Sequence, residues 1–124
     1  MKPQEVKARI KKAFAVLRKG GVYARASFSC CEGCAGYEIR PLAEAAKATG
    51  YAYYHRQDNG DLLINGRSYI SFNTLKPGFP AWDCGKMVVM ALHAQGLETD
   101  WSGSSNQRIR VKGPAPKKVV FQQG

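Results

Sequence analysis

Three of the chain's four cysteines fall within five residues, Cys30-Cys31-Glu32-Gly33-Cys34. Thiols at that spacing support three chemistries. Cys31-x-x-Cys34 lets two thiolates share one zinc, with Cys30 as a third ligand and His55, Cys84 or His93 as a distant fourth. The same pair could cycle between dithiol and disulfide, since a helix start lowers a thiol pKa. Alternatively the cysteines act as small hydrophobes in a turn that needs only small residues. His55 lies in Tyr53-Tyr54-His55-Arg56-Gln57-Asp58 and could ligate a metal or act as acid or base, with Asp58 three residues on. No Ser/His/Asp order, P-loop or dinucleotide glycine pattern is present.

The elements around these residues follow from periodicity. Val6, Ile10, Ala13, Phe14 and Leu17 make one apolar stripe and predict a helix over Pro3–Lys19, ended by Gly20-Gly21. Val22 to Ser29 alternates as a half-buried strand, so the cysteines sit where a strand feeds a helix N-terminus. Tyr37 to Thr49 reads as that helix, starting near Arg40 so that Pro41 lies in its first turn. Tyr51 to Gln57 reads as a second strand. Asp58-Asn59-Gly60-Asp61 and Asn65-Gly66 read as turns around a short strand or loop, Leu62 to Ile64. Arg67 to Asn73 alternates as the next strand, with Ser68, Ile70 and Phe72 on one face. Ala81 to Gln95 is a third helix, with Cys84, Met87, Val88, Ala91 and Leu92 inward.

Leu97–Trp101 and Gln107–Val111 flank a Ser/Gly-rich loop and predict a hairpin. Pairing Leu97 with Val111 and Thr99 with Ile109 puts Glu98 opposite Arg110 and Asp100 opposite Arg108, which sorts apolar and charged pairs to separate faces. Together these elements predict an α+β fold: a mainly antiparallel sheet of four to five strands with three helices, in the order α-β-α-β-β-α-β-β. The domain is expected over residues 1–112. Residues 113–124 form a basic tail in which Val119 to Phe121 add an edge strand or fray.

The formal net charge is +10, and residues 1–19 hold seven Lys/Arg against one Glu. The excess therefore sits on the first helix, where Lys7, Lys11 and Arg18 line one flank and Lys12 and Lys19 lie on the polar remainder. Such a surface suits nucleic acid or an acidic protein, or simply keeps a small protein soluble. No apolar run approaches the ~20 residues that cross a bilayer. Four cysteines without a signal sequence point to the reducing cytoplasm.

The thiol pair departs from the thioredoxin-like pattern: no Trp precedes it, and the strand order differs from βαβ. The stretches Phe28–Cys34, Gly50–Asp58, Tyr69–Phe72, Gly96–Trp101 and Arg108–Val111 instead resemble an uncharacterised bacterial domain family. That family has a Cys-Cys-x-x-Cys strand end and a Tyr-His-x-Gln-Asp strand end. The likeness spans roughly residues 8–112, and Ala35 between Cys34 and Gly36 departs from the family pattern. It implies a fold and adds no mechanism.

The sequence thus reads first as a non-enzymatic basic binding domain without a cofactor. In that reading the first helix contacts nucleic acid, an acidic protein or a nucleoprotein complex, for example as a phage or mobile-element accessory. The alternative is a zinc- or thiol-bearing domain, oxidoreductases included, whose site is Cys30, Cys31, Cys34 and His55.

Overall fold

The computed structural model describes residues 2–65 and 68–114. Its elements are α1 (Pro3–Lys19), β1 (Val22–Arg25), α2 (Glu32–Ala45), β2 (Gly50–Tyr53), α3 (Arg56–Asn65), β3 (Ser68–Thr74), α4 (Ala81–Ala94), β4 (Leu97–Asp100) and β5 (Ile109–Pro114). The strands form one five-stranded sheet in the order β1-β2-β3-β5-β4. β1 and β2 are parallel, as a connection through α2 allows, and the other three pairings are antiparallel.

Period-two alternation divides the sheet into two faces. Val22, Ala24, Ala52, Ile70, Phe72, Ile109 and Val111 pack with α1, α3 and α4 in the main core. The residues between them point the other way, where Tyr51 and Tyr53 pack with Ala35, Ile39 and Ala43 of α2. The stripe of α1 is buried along its whole length, as its spacing predicts. α4 likewise buries Cys84, Val88, Ala91 and Leu92.

Four features differ from the sequence expectation. The first is the fold class. Four helices, not three, alternate with the strands, giving α-β-α-β-α-β-α-β-β around a mixed sheet, and the parallel β1-α2-β2 is a βαβ unit, contrary to the expected strand order around the thiol pair. The extra helix, α3, occupies the Asp58–Asp61 stretch expected as a turn. It starts with a reciprocal cap in which the His55 N–H donates to Asp58 Oδ2 (3.2 Å) and the Asp58 N–H donates to His55 Nδ1 (3.3 Å). Such a cap satisfies free N–H groups at the helix start and outweighs the weak helix propensity of Asn59 and Gly60. Burial of Leu62 against the main core adds to it.

The second concerns α2. It begins at Glu32 rather than near Arg40 and carries Pro41 inside it. The missing N–H leaves the Tyr37 carbonyl without its helical donor, and Tyr37 lies on the exposed side of the helix, where that loss costs least.

Third, β1 ends at Arg25, four residues before the alternation does. Ser27 (φ 51°) and Ser29 (φ 62°) adopt left-handed backbone, a region costly for residues with a Cβ. The segment stays fastened to the residues beyond β2 through Phe28 N–H to Tyr54 O (2.8 Å) and Arg56 N–H to Ser29 O (3.0 Å).

The fourth is the hairpin register. Thr99 pairs with Val111 and Asp100 with Arg110, after a shift between Glu98 and Thr99. Asp100 and Arg108 are therefore not cross-strand partners. At Thr99 and Asp100 the shift is two residues, which preserves which side chains share a face, so the apolar sorting could not reveal it; Leu97 and Glu98, beyond the bulge, are displaced by three, onto Pro114 and Gly113. Of the expected Asn65-Gly66 turn, Asn65 ends α3 and Gly66 lies outside the described residues; of the expected 113–124 tail, Gly113 and Pro114 belong to β5 and residues 115–124 lie outside them.

Candidate functional site

The cysteine cluster forms where the left-handed segment after β1 meets α2. Cys31 is the N-cap residue of α2, and Cys34 lies in the helix's first turn. The Sγ atoms of Cys30, Cys31 and Cys34 all lie within 4.8 Å of one another, and the Cys30 and Cys31 sulfurs are 3.6 Å apart. Cys30 and Cys34 are exposed and Cys31 is partly so. The thiols are not equivalent. Cys31 makes no cap hydrogen bond, yet the Cys34 N–H, and after it the Cys30 thiol, pull its pKa below the ordinary thiol value. The Cys30 and Cys31 sulfurs push Cys34 up to about 11. A helix N-terminus thus favours one thiolate, and its charge disfavours a second beside it.

The other candidate ligands lie elsewhere. His55 is buried at the start of α3, with Nδ1 accepting from Asp58 and Nε2 3.2 Å from Asp58 Oδ2. It stands apart from the three-thiol group. Cys84 is buried under β2 and β3, with its thiol 3.5 Å from the Asn73 carbonyl, and burial raises its pKa to about 12. His93 Nε2 meets Thr99 Oγ1 at 3.0 Å.

Next to the thiols is a polar cage that sequence reasoning does not reveal. Glu32, the residue after Cys31, accepts hydrogen bonds from Tyr53 Oη and Ser71 Oγ, the latter 2.7 Å from Oε2. Arg108 Nε donates to Ser71 Oγ (2.7 Å) and lies 3.4 Å from Glu32 Oε2. Its Nη1 and Nη2 engage both oxygens of Asp58, and Nη2 also donates to the Tyr69 carbonyl at 2.8 Å. One guanidinium therefore joins α2, α3 and β3. Burial, and then the carboxylate of Glu32, raise the Tyr53 pKa, so its hydroxyl stays a donor. The cage borders a cavity of about 180 Å³ that also reaches Ser105, Asn106 and Gln107 of the β4–β5 loop. The sequence signal for Arg108 is its pairing in the hairpin, and a register two residues out gives it to Asp100 instead.

The domain family described as "Domain of unknown function (DUF6891)" matches residues 3–115. The chain belongs to the DUF6891 family. No curated protein and no solved structure matches it. This DUF6891 domain thus carries its Cys-Cys-x-x-Cys cluster at the start of a helix pinned to the sheet by Glu32.

The basic residues lie on the other side of the sheet, on α1. Lys11, Lys12 and Lys19 are exposed and Lys7 is partly covered. Arg18 donates to the Ala24 carbonyl at 3.0 Å and so helps hold β1. Among the described residues, no helix is long and apolar enough to cross a membrane.

Proposed function

We propose that the domain binds one soft metal ion, zinc foremost, through Cys30, Cys31 and Cys34. The observation that carries this reading is the convergence of three sulfurs within 4.8 Å at a helix N-terminus. Thiolates select soft or borderline metals, and three protein ligands leave a fourth position for water or a substrate. Bound metal would hold all three cysteines as thiolates, overriding the mutual repulsion that keeps Cys34 protonated in the free protein. Glu32 and the cage fix the helix start on which two of the ligands stand. The basic flank of α1 has no comparable convergence, since Arg18 is engaged with Ala24, so contact with an acidic partner there is the weaker reading.

Metal content and free-thiol titration on freshly purified protein test the proposal. About one zinc per protein molecule, lost in both Cys31→Ser and Cys34→Ser, is the expected result. Four reactive thiols in denaturant with no metal, and no uptake of added zinc or cobalt, would overturn it.

A second reading rests on the opposed pKa shifts of Cys31 and Cys34. In thiol–disulfide exchange the Cys31 thiolate would attack a partner's disulfide and expel one of its sulfurs as thiolate. Cys34, giving up its proton, would then displace the partner's other sulfur and leave a Cys31–Cys34 disulfide. A Cys34→Ser variant that traps a mixed disulfide, with no metal bound by the wild type, would favour this reading over the first.

A further inference from the structure

The two-residue shift in the hairpin also changes the surroundings of Arg110. Its cross-strand neighbours are Tyr69 on β3 and Asp100 on β4. Lys112 takes Glu98, at 3.7 Å, the carboxylate that the sequence pattern assigns to Arg110. Asp100 faces Arg110 in register but forms no ion pair with it, and Arg110 Nε is buried without a hydrogen-bond partner. An arginine nitrogen removed from water and left unpaired is uncommon and calls for an explanation.

The explanation lies in the uncovered half of the sheet. α2 covers β2 on this face, and over β3, β5 and β4 there is a trough of about 530 Å³ lined by Tyr69, Asp100, Asn106, Gln107, Arg108 and Arg110. The trough and the thiol-side cavity share Asn106, Gln107 and Arg108. Tyr69 is 39% exposed, and the Arg108 guanidinium lies 5.6 Å from its ring centroid. Arg108 itself is already engaged by Asp58, Ser71 and Tyr69 O. Among the described residues, Arg110 is thus the cation of the trough with no ion-pair partner, and its Nε has no hydrogen-bond partner.

We propose that this trough binds a small monocarboxylate, with Arg110 receiving the carboxylate and Tyr69 lying along the ligand's apolar body. The charge of the lining selects this class. Arg108 is already paired with Asp58, so Arg110 is the one positive charge of the lining left for a ligand, which suits a single carboxylate and would hold a polyphosphate or nucleic-acid strand poorly. A guanidinium fork matches a carboxylate in shape, and an exposed tyrosine gives a planar or apolar body a surface to stack on. Asn106 and Gln107 add amide groups at the rim. The proposal does not depend on what the thiols bind.

The test is amide NMR of the full-length protein titrated with benzoate, benzamide, acetyl-phenylalanine, acetyl-phenylalanine amide, inorganic phosphate and a short single-stranded DNA. Benzoate or acetyl-phenylalanine should shift the amides of Tyr69 and of Asn106 to Arg110, saturating at about millimolar concentration. The neutral amides should bind about tenfold more weakly or worse. Preference for acetyl-phenylalanine would mark the carboxyl end of a peptide as the source of the carboxylate, and preference for benzoate a free acid. Arg110→Gln should abolish the shifts, and Arg110→Lys, which keeps the charge without the fork, should weaken them. The proposal fails if neither carboxylate shifts these amides, if both Arg110 variants bind like the wild type, or if phosphate or DNA binds more tightly there. If Arg110→Gln does not fold, Arg110→Lys and Tyr69→Ala decide by the same criterion.

Discussion

Cys84 and Cys31 are the same residue in opposite settings. Cys84 is fully buried on the face packed by α1, α3 and α4, and burial raises its thiol to about 12. Cys31 is partly exposed on the α2 side, where N–H groups of a helix start and a neighbouring thiol lower it. The contrast extends to the two faces. One is closed by aliphatic and aromatic side chains; the other holds Glu32, Asp58, Ser71 and Arg108 in a hydrogen-bonded cage beside two cavities. Chemistry needs groups that water and ligands can reach, so the second face carries the candidate sites and the first carries stability.

The largest difference should appear in thiol reactivity. In metal-free protein, iodoacetamide should modify Cys31 first, with an inflection below the ordinary thiol range. Cys34 should follow only at high pH, and Cys84 should not react without unfolding. Mass spectrometry of digests across a pH series measures this order. Cys84 reacting at Cys31's rate in folded protein would remove the contrast. Cys84 also gives a stability prediction whose sign is fixed. The unfolded thiol ionises near 9 and the folded one near 12, so the folded state holds more protons in between and stability should fall as pH rises from 9 to 12. Cys84→Ala should flatten that slope.

The cage comes next in size. Asp58 is almost fully buried and Arg108 about a quarter exposed. Asp58→Ala removes the partner of Arg108 and the helix-start acceptor of His55 N–H together. A loss of about 3 kcal/mol is expected, the low end for a broken buried pair because Arg108 keeps some water. Urea unfolding checks it, and a loss under ~1 kcal/mol would show that the cage contributes little. On the packed face, Gly85→Ala would place a Cβ 2.5 Å from Trp101 Cη2 and 2.9 Å from Phe72 Cζ. Those rings pack edge to face at 5.4 Å, so neither yields easily. Overpacking of about 1–3 kcal/mol, less up to ~1 kcal/mol gained in helix propensity, should leave a net loss.

What the sequence makes legible follows the same division. α1, α4 and the faces of β3 are readable because each depends on apolar periodicity, which the main core enforces. The thiol cluster is readable as a spacing, and its place at the start of α2 follows from the strand-to-helix change. α3 is not readable. Only Leu62 of its apolar residues is fully buried, and its start depends on the His55–Asp58 cap and on Arg108, fifty residues on from Asp58. Polar residues joined by tertiary hydrogen bonds leave no periodic trace, so Asp58-Asn59-Gly60-Asp61 keeps the look of a turn. His55 stands out in the sequence, but its ring nitrogens meet Asp58. Arg108 is hidden by a register that matches charge to charge equally well two residues away.

That register sets up the smallest effect and the most discriminating one. Glu98 and Lys112 lie 3.7 Å apart, each about 40% exposed, so their pairing should contribute only ~0.2–1 kcal/mol and weaken as salt rises. A double-mutant cycle between Glu98→Ala and Lys112→Ala should find a coupling of that size at low salt. The matching cycle between Glu98→Ala and Arg110→Ala should find none within error, because Arg110 is directed to the trough and not to Glu98. The reverse pattern would put Glu98 opposite Arg110 and return Arg110 to an ordinary surface pair. The carboxylate site would then lose its unpartnered cation. A coupling worth less than a tenfold change in equilibrium thus decides which arginine of the hairpin is available to a ligand.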